Sequence, residues 1–355
     1  MKKTVISALI VFWIVVVGVI ISFMVFASRG SLPSISARGW FDMDYNSSSS
    51  LISEKSFSAD EFKNLTVNAA AYDIIVRVSD NKSIDIKQYG PENAGNDELM
   101  KTDLSGGLLN ISTDEFRFPG SFFNFSWGGW TNRRLEIDLP LSAEGGIVLK
   151  TASGDISISG EAFNPSTLLI ESASGDVKTG ALTKTGDFVI KTASGDINID
   201  GDVISDNIRL ESISGYIKSS FQVAVQSANF GTTSGKISLD FLSSDEFNIS
   251  SISGNVSAEN ISGKGKVSST SGNITFSSFE MTGDTDAGSV SGNIRVGFVS
   301  SQQFLFEGSS TSGDIRSSYP ISISGMVPKR GELSVGENPS SKLRAHTTSG
   351  NINLS

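Results

Sequence analysis

The chain has no cysteine and a single histidine, His346, in 355 residues. The first absence excludes disulfides, thiolate metal sites, cysteine nucleophiles and lipid attachment through a cysteine. The second leaves a multi-histidine metal centre or a Ser-His-Asp triad little to draw on. Basic residues are in the minority, 28 Lys and Arg against 38 Asp and Glu, for a net charge of −10. They form no stripe, and phosphate binding needs clustered cations, so nucleic acid is not an expected partner. Aromatics are modest at 9%. Nothing in the composition calls for a cofactor.

What the chain does have is one short phrase repeated ten times: Ser-Gly, then usually Asp or Asn, then Ile or Val. The glycines are Gly154, Gly175, Gly195, Gly215, Gly235, Gly254, Gly272, Gly292, Gly313 and Gly350. The first nine are 18 to 21 residues apart. A period near twenty in β-rich sequence marks a solenoid in which each repeat is one coil stacked on the last. The expected fold is therefore all-β, a single-stranded parallel β-solenoid (β-helix) with coils of about 20 residues.

Aligned on glycine, the repeats expose the columns of the coil. Two residues after it every member is Ile or Val, from Ile156 and Val177 to Ile315 and Ile352, and the next position is always polar. This period-two alternation puts one side chain in and the next out. Each buried Ile or Val should contribute about 1.5–3 kcal/mol. A second inward column, five before glycine, runs Leu149, Ile170, Ile190, Leu210, Phe230, Ile249, Val267 and then shrinks to Ala287, Gly308 and Ala345, which predicts a slimmer or less regular second half. The outward neighbour begins Lys150, Glu171, Lys191, Glu211. Alternating charge at one column is what in-register parallel stacking, about 4.8 Å per coil, would favour. The Ser-Gly pair reads as a turn with glycine supplying positive φ and nearby hydroxyls serving exposed backbone groups.

Alternating apolar residues upstream, Leu65 to Ile86, Leu108 to Ile111 and Leu135 to Leu139, predict the first coils. The last interval, Gly313 to Gly350, is close to two periods. It holds either a worn repeat around Gly331-Glu332-Leu333 or an inserted hairpin between Pro320 and Pro339.

The motif Thr-Ala-Ser-Gly-Asp-Ile-Ser-Ile at residues 151–158, its copies, the ending Thr347-Thr348-Ser349-Gly350-Asn351-Ile352 and the lead-in Leu135-Glu136-Ile137-Asp138-Leu139-Pro140 resemble the bacterial putative-adhesin family, a β-solenoid domain of unknown function. The resemblance covers residues 57–355. It implies an extracytoplasmic, envelope-associated protein, in some cases linked to envelope stress, and it carries no catalytic residues to transfer.

Lys2 and Lys3 precede an uncharged run at residues 4–28 rich in Val, Ile and Phe. About 23 helical residues span roughly 35 Å, enough for a bilayer core and longer than the apolar core of a signal peptide. The expected organisation is an N-terminal transmembrane helix at 1–28, a flexible spacer at 29–56 and the solenoid at 57–355, with signature repeats over 147–355. A cleaved signal ending at Val25-Phe26-Ala27 is the alternative. Lys2 and Lys3 place the solenoid outside the cytoplasm, with the chain held at the cell membrane by a single pass.

The sharpest departure from the repeat is the loop at 115–130. It carries Phe116, Phe118, Phe122, Phe123, Phe125, Trp127 and Trp130, more aromatic surface than one thin coil can bury. It is read either as a partner-binding loop or as a cap over the open end of the solenoid. Arg117, Arg133 and Arg134 flank it and suit anionic lipid heads or envelope polymers. The column Asp155, Asp176, Asp196 is read either as a cation-bridging stack or as turn carboxylates bonded within their own turns. Glu161, Asp187, Asp200 and Asp202 form no acid–base constellation, and His346 falls in the outward Lys/Glu column as a surface residue. Catalysis is not expected. The leading function is a binding or adhesion surface at the cell envelope for an unidentified protein or glycan. The alternative is a structural or envelope-stress scaffold that self-associates through its strand edges.

Overall fold

The computed structural model describes residues 49–96, 98–113, 133–180 and 182–355. The apolar run at 4–28 and the aromatic loop lie outside the described residues. Among the described residues no helix is long and apolar enough to cross a membrane. The architecture is all-β, with one 3-10 turn at Ala59–Glu61.

Seven strands build the N-terminal end: β1 (Ser50–Ser58), β2 (Asn64–Ala69), β3 (Asp73–Ser79), β4 (Ser83–Gly90), β5 (Lys101–Ser105), β6 (Leu108–Thr113) and β7 (Arg134–Pro140). β1 begins inside the stretch that composition assigns to the spacer. The regular coils follow as β8 (Gly146–Thr151) and β9 (Ile156–Gly160), β10 (Thr167–Ser172) and β11 (Val177–Thr179), then β12 (Leu182–Thr192), β13 (Ile197–Ile199) and β14 (Val203–Ser212). Four long strands then wrap from one face of the coil to the next: β15 (Ile217–Thr232), β16 (Ile237–Ser251), β17 (Val256–Ser269) and β18 (Ile274–Ser289). The C-terminal end comprises β19 (Ile294–Phe298), β20 (Phe304–Ser310), β21 (Ile315–Ser317), β22 (Ser322–Ser324), β23 (Lys329–Val335), β24 (Lys342–Thr347) and β25 (Ile352–Leu354).

From β8 to β19 the coils stack parallel and in register, each on its predecessor, as the glycine alignment predicts. Both ends break chain order. At the N-terminal end β2 and β3 lie between β6–β7 on one side and β8–β9 on the other. At the C-terminal end β24 and β25 lie between β18–β19 and β20–β21. At the C-terminal end the chain steps outward over one coil and returns to fill the gap it left; at the N-terminal end the middle coil comes first, the outer coil is added on it, and the chain then passes to its inner side. Antiparallel strands close the ends: β4 on β7, β1 on β4 and β5 on β6 at one, β23 on β20 and β22 on β23 at the other. Ile84 and Ile86 therefore belong to an antiparallel cover strand rather than to a coil. The interval between Gly313 and Gly350 holds the inserted hairpin, β22–β23, with Gly331 paired to Gly308.

The two inward columns run unbroken through this permuted order. One reads Leu135, Ile74, Ile156, Val177 and onward to Ile294, Ile352, Ile315, all buried. The other runs from Ile111 and Val67 through Leu149 to Val267, Ala287, Ala345 and Gly308. The second half is less regular, with shifts of register along β16 to β19 and an inserted hairpin near its end. Its small column residues leave room for rings: a Cβ on Gly308 would meet the Phe306 ring at 2.3 Å. Phe247, Phe276 and Phe279 pack edge-on at 5.3–6.2 Å between centroids, and the chain of rings continues through Phe298 to Phe304 at 4.0 Å and Tyr319. At the other end Tyr72 and Gln88 are fully buried but satisfied: Gln88 Nε2 donates to Tyr72 Oη and to the Glu98 carbonyl, both at 2.8 Å, and its Oε1 accepts from the Met100 amide.

The signature glycines do not adopt positive φ, contrary to the turn reading. Their reason is close approach. A Cβ on Gly175, Gly195, Gly215, Gly235 or Gly254 would lie 1.6–1.9 Å from the carbonyl oxygen of the glycine one coil below. The Ser or Thr three residues earlier completes the joint. Ser212 Oγ accepts the Gly215 amide at 2.8 Å and donates to the Gly195 carbonyl at 3.1 Å, and Thr232, Ser251, Ser269 and Ser289 repeat the pattern.

Candidate binding site

The seven aromatics of the predicted binding loop, from Phe116 to Trp130, lie outside the described residues. The strands that flank it, β6 and β7, form the outermost N-terminal coil. Of the arginines beside it, Arg117 lies outside the described residues, and Arg133 and Arg134 are engaged within that end. Arg133 reaches Glu98 at 3.3 Å and stands over the Tyr72 ring. Arg134 bonds Glu136 at 2.7 Å and lies 3.8 Å from the Tyr89 ring centre. The Arg134 hydrogen bond holds the Glu136 carboxyl below its ordinary value, against the opposing effect of burial.

The Asp column bonds between coils, not within its own turns. The Asp155 carboxylate accepts the amide of Asp176 at 2.8 Å, Asp176 accepts that of Asp196 at 2.7 Å, and Asp196 accepts that of Tyr216 at 2.7 Å. Below them Asp73 accepts the Asp155 amide. Asn255, Asn273, Asn293 and Asn351 continue the ladder in the permuted order, ending on the Asp314 amide. Among the described residues no group of three His, Asp or Glu side chains is placed to hold a metal. The outward Lys/Glu column is a ladder over three coils, with Glu171 between Lys150 at 2.8 Å and Lys191 at 3.8 Å. It stops at Glu211, which pairs with Arg209 on its own strand.

Further along that same outward column the side chains become small, Gly231, Ser250, Ser268 and Gly288, and then end on His346, Ser309 and Arg330. These last three border a groove of about 270 Å³ between β20, β23 and β24, also lined by Glu307, Glu332 and Arg344. Some of its charges are already matched. Lys342 bonds Glu307 at 2.6 Å and lowers its carboxyl pKa, and Arg344 reaches Asp284 at 3.1 Å and Asp286 at 3.6 Å. The side chains of Arg330, Glu332 and His346 have no hydrogen bond or ion pair among the described residues. His346 is exposed, as its column predicts, and its ring leans on Gly288, where a Cβ would stand 2.6 Å from Cε1 and Nε2. Sequence reasoning did not find this groove, because β23 joins the column from an inserted hairpin that follows no repeat.

The family model for the Toastrack DUF4097 domain matches two overlapping stretches, residues 62–218 and 182–355. The chain belongs to the Toastrack DUF4097 family. No curated protein matches it. Among solved structures this Toastrack chain is similar to a putative lipid binding protein from Parabacteroides distasonis (17% identity, 85% of this chain, 96% of that one, TM-score 0.44). It is also similar to a putative adhesin from the same organism (11% identity, 85% and 96%, TM-score 0.43) and to one from Parabacteroides merdae (11%, 85% and 95%, TM-score 0.42).

Proposed function

We propose that this Toastrack chain is a non-catalytic binding protein, held at the cell membrane by its N-terminal apolar segment with the β-stack on the extracytoplasmic side. The observation that carries the reading is the use made of the repeated polar residues. Glycine, hydroxyl and Asx side chains recur in every coil or nearly so, and they are engaged in joining one coil to the next. That is the economy of a long rigid surface whose outward columns are free to vary, as in other stacked-repeat proteins. The closed ends support this reading over a self-associating scaffold. β22 has three residues, and the longer edge strand β1 carries Glu54, Lys55 and a register irregularity between Leu51 and Ser53, features that blunt edge-to-edge pairing.

The test is capture of partners from native envelope by the full-length chain, beside the same chain lacking residues 116–130, both checked for β structure by circular dichroism. Capture lost with the loop while the fold persists places binding on the aromatic segment. Equal capture by both places it on the stack. Capture by neither, with concentration-dependent oligomers of the chain, overturns the proposal in favour of the scaffold.

A further inference from the structure

We propose that the tip of the inserted hairpin, Gly325-Met326-Val327-Pro328, enters an anionic lipid surface that faces this end of the stack. The inference goes beyond the binding-surface reading, which leaves the partner unnamed. It starts from exposure. Met326 is 89% exposed and Val327 73%, the two highest values for large apolar side chains among the described residues, and they are consecutive. Ile323, on the same hairpin, is 51% exposed. The fold does not need these side chains. β23 closes the edge of β20, and Leu333, with Tyr319, Ile321 and Val335, supplies the packing that roots the hairpin on the core. Gly325 turns the chain at a φ of +76°. The tip is thereby carried beyond the last β22–β23 pair, Ser324 with Arg330.

Charge and size name the occupant. The chain carries −10 overall, yet cations crowd this tip. Lys329 and Arg330 follow Pro328 directly, whereas Glu332, the nearest acid of the hairpin, is four residues behind it. Asp314, on the neighbouring β21 turn, is one carboxylate for two cations: Lys329 bonds it and Arg316 reaches it at 3.5 Å. Arg330 has no hydrogen bond or ion pair among the described residues. An apolar point with a cationic collar suits an anionic bilayer, whose headgroups attract the charges and whose acyl boundary takes the side chains. A protein partner fits less well. Stable protein interfaces bury about 800 Å² on each side. A tip of four residues beside a strand of three offers neither that area nor a useful ladder. A bilayer asks for no shape match, and an unbranched Met adapts to it. The hairpin lies at the opposite end of the stack from β1, where the described residues begin. The surface it meets is therefore a facing one rather than the membrane that holds the chain.

The experiment exploits the lack of cysteine: Val327→Cys gives the full-length chain a single environment-sensitive label. The chain is held in phosphatidylcholine nanodiscs and titrated with phosphatidylcholine vesicles, with or without phosphatidylglycerol, that carry a spin-labelled lipid. The expected result is a blue shift and quenching by the anionic vesicles alone. The same label at Ser243→Cys, exposed midway along the stack, should be unaffected. Unlabelled variants are compared by vesicle flotation. Met326→Ser should weaken binding about tenfold or more, and Arg316→Gln and Arg330→Gln about fivefold each. All three positions are exposed, and circular dichroism checks that the variants keep the fold. The proposal is overturned if anionic vesicles leave the Val327→Cys label unshifted, if neutral vesicles quench it equally, if the Ser243→Cys label responds as strongly, or if the variants bind as tightly as the parent. It is also overturned if the label shifts with chain concentration alone, which names a second copy, or with lipid-free envelope protein and not with vesicles, which names a protein partner. A chain that does not enter nanodiscs removes the membrane anchor from the proposed function, and the same titration then decides this proposal on the free chain.

Discussion

Gly350 lies against Gly292: a Cβ on Gly350 would stand 1.9 Å from the Gly292 carbonyl oxygen, and Gly313, earlier in the chain, lies against Gly350 in the same way. The coil that carries Gly350 is thus the floor on which β20 and β21 rest. Deleting residues 342–355 is expected to strip protection from amides 304–335, because each buried Leu or Ile removed, Leu343, Ile352 and Leu354 among them, withdraws about 1.5–3 kcal/mol. Hydrogen exchange read by mass spectrometry checks this. Amides of β15 to β17 should stay protected, and equal loss across the stack would show that the end is not a separable unit.

Glycine at the joint is irreplaceable by size, not by conformation. Gly235→Ala drives a methyl to 1.8 Å from the Gly215 carbonyl and should destabilise the stack by about 3 kcal/mol or more, or prevent folding. Gly231→Ala is the control. Its nearest neighbours are 3.7 and 4.0 Å away, so the change should fall within about 0.5 kcal/mol. Denaturant midpoints of the two variants, measured side by side, decide between close approach and a general need for flexible turns.

The Asx ladder is interrupted where Tyr216 and Lys236 occupy its column. Asp176→Ala removes the acceptor of the Asp196 amide and should cost about 1 kcal/mol, while Asp176→Asn should be close to neutral, since Asn does the same work elsewhere in the column. Lys236→Asn should raise stability by about 0.5–1 kcal/mol by offering the Asn255 amide the acceptor it lacks. Urea titrations of the three variants give the signs directly.

Acid should loosen the ends before the middle. The carboxyls held below their ordinary values, Glu136 by Arg134, Glu307 by Lys342 and Asp314 by Lys329, all belong to the interleaved ends. A carboxyl lowered in the folded state contributes stability that is present above the ordinary carboxylate range. That contribution is lost as pH falls through the lowered value. Hydrogen exchange corrected for intrinsic rates should therefore rise first in β4, β7, β20 and β23 as pH is taken below about 4. Uniform loosening of β15 to β18 over the same range would contradict this.

The columns of Ile, Val and glycine were legible because each occurs once per coil, so period and burial read off the same positions. The order of the coils was not. Gly313 and Gly350 sit in the same phrase, and either fits on Gly292 with its Ile, its hydroxyl and its Asx acceptor in register. Which one does is decided by the hairpin between them, a feature outside the repeat. The role of glycine was misread for a related reason. Sequence reports spacing along the chain, whereas the constraint on Gly235 comes from an oxygen one coil away. The groove escaped because Arg330 reaches the outward column from the opposite chain direction.

The doubled-back ends also govern how such a protein can change its length. A duplicated unit of about 20 residues placed between β12 and β17 meets on both sides the carbonyl, hydroxyl and amide its neighbours already present, and lengthens the stack by one storey of about 4.8 Å. The same unit placed after β19 would have to part β19 from β25 and find a new seat for β24. Lineages that lengthen or shorten this fold are therefore expected to edit it from within, like a zip fastened at both ends, leaving the terminal coils as its fixed hems.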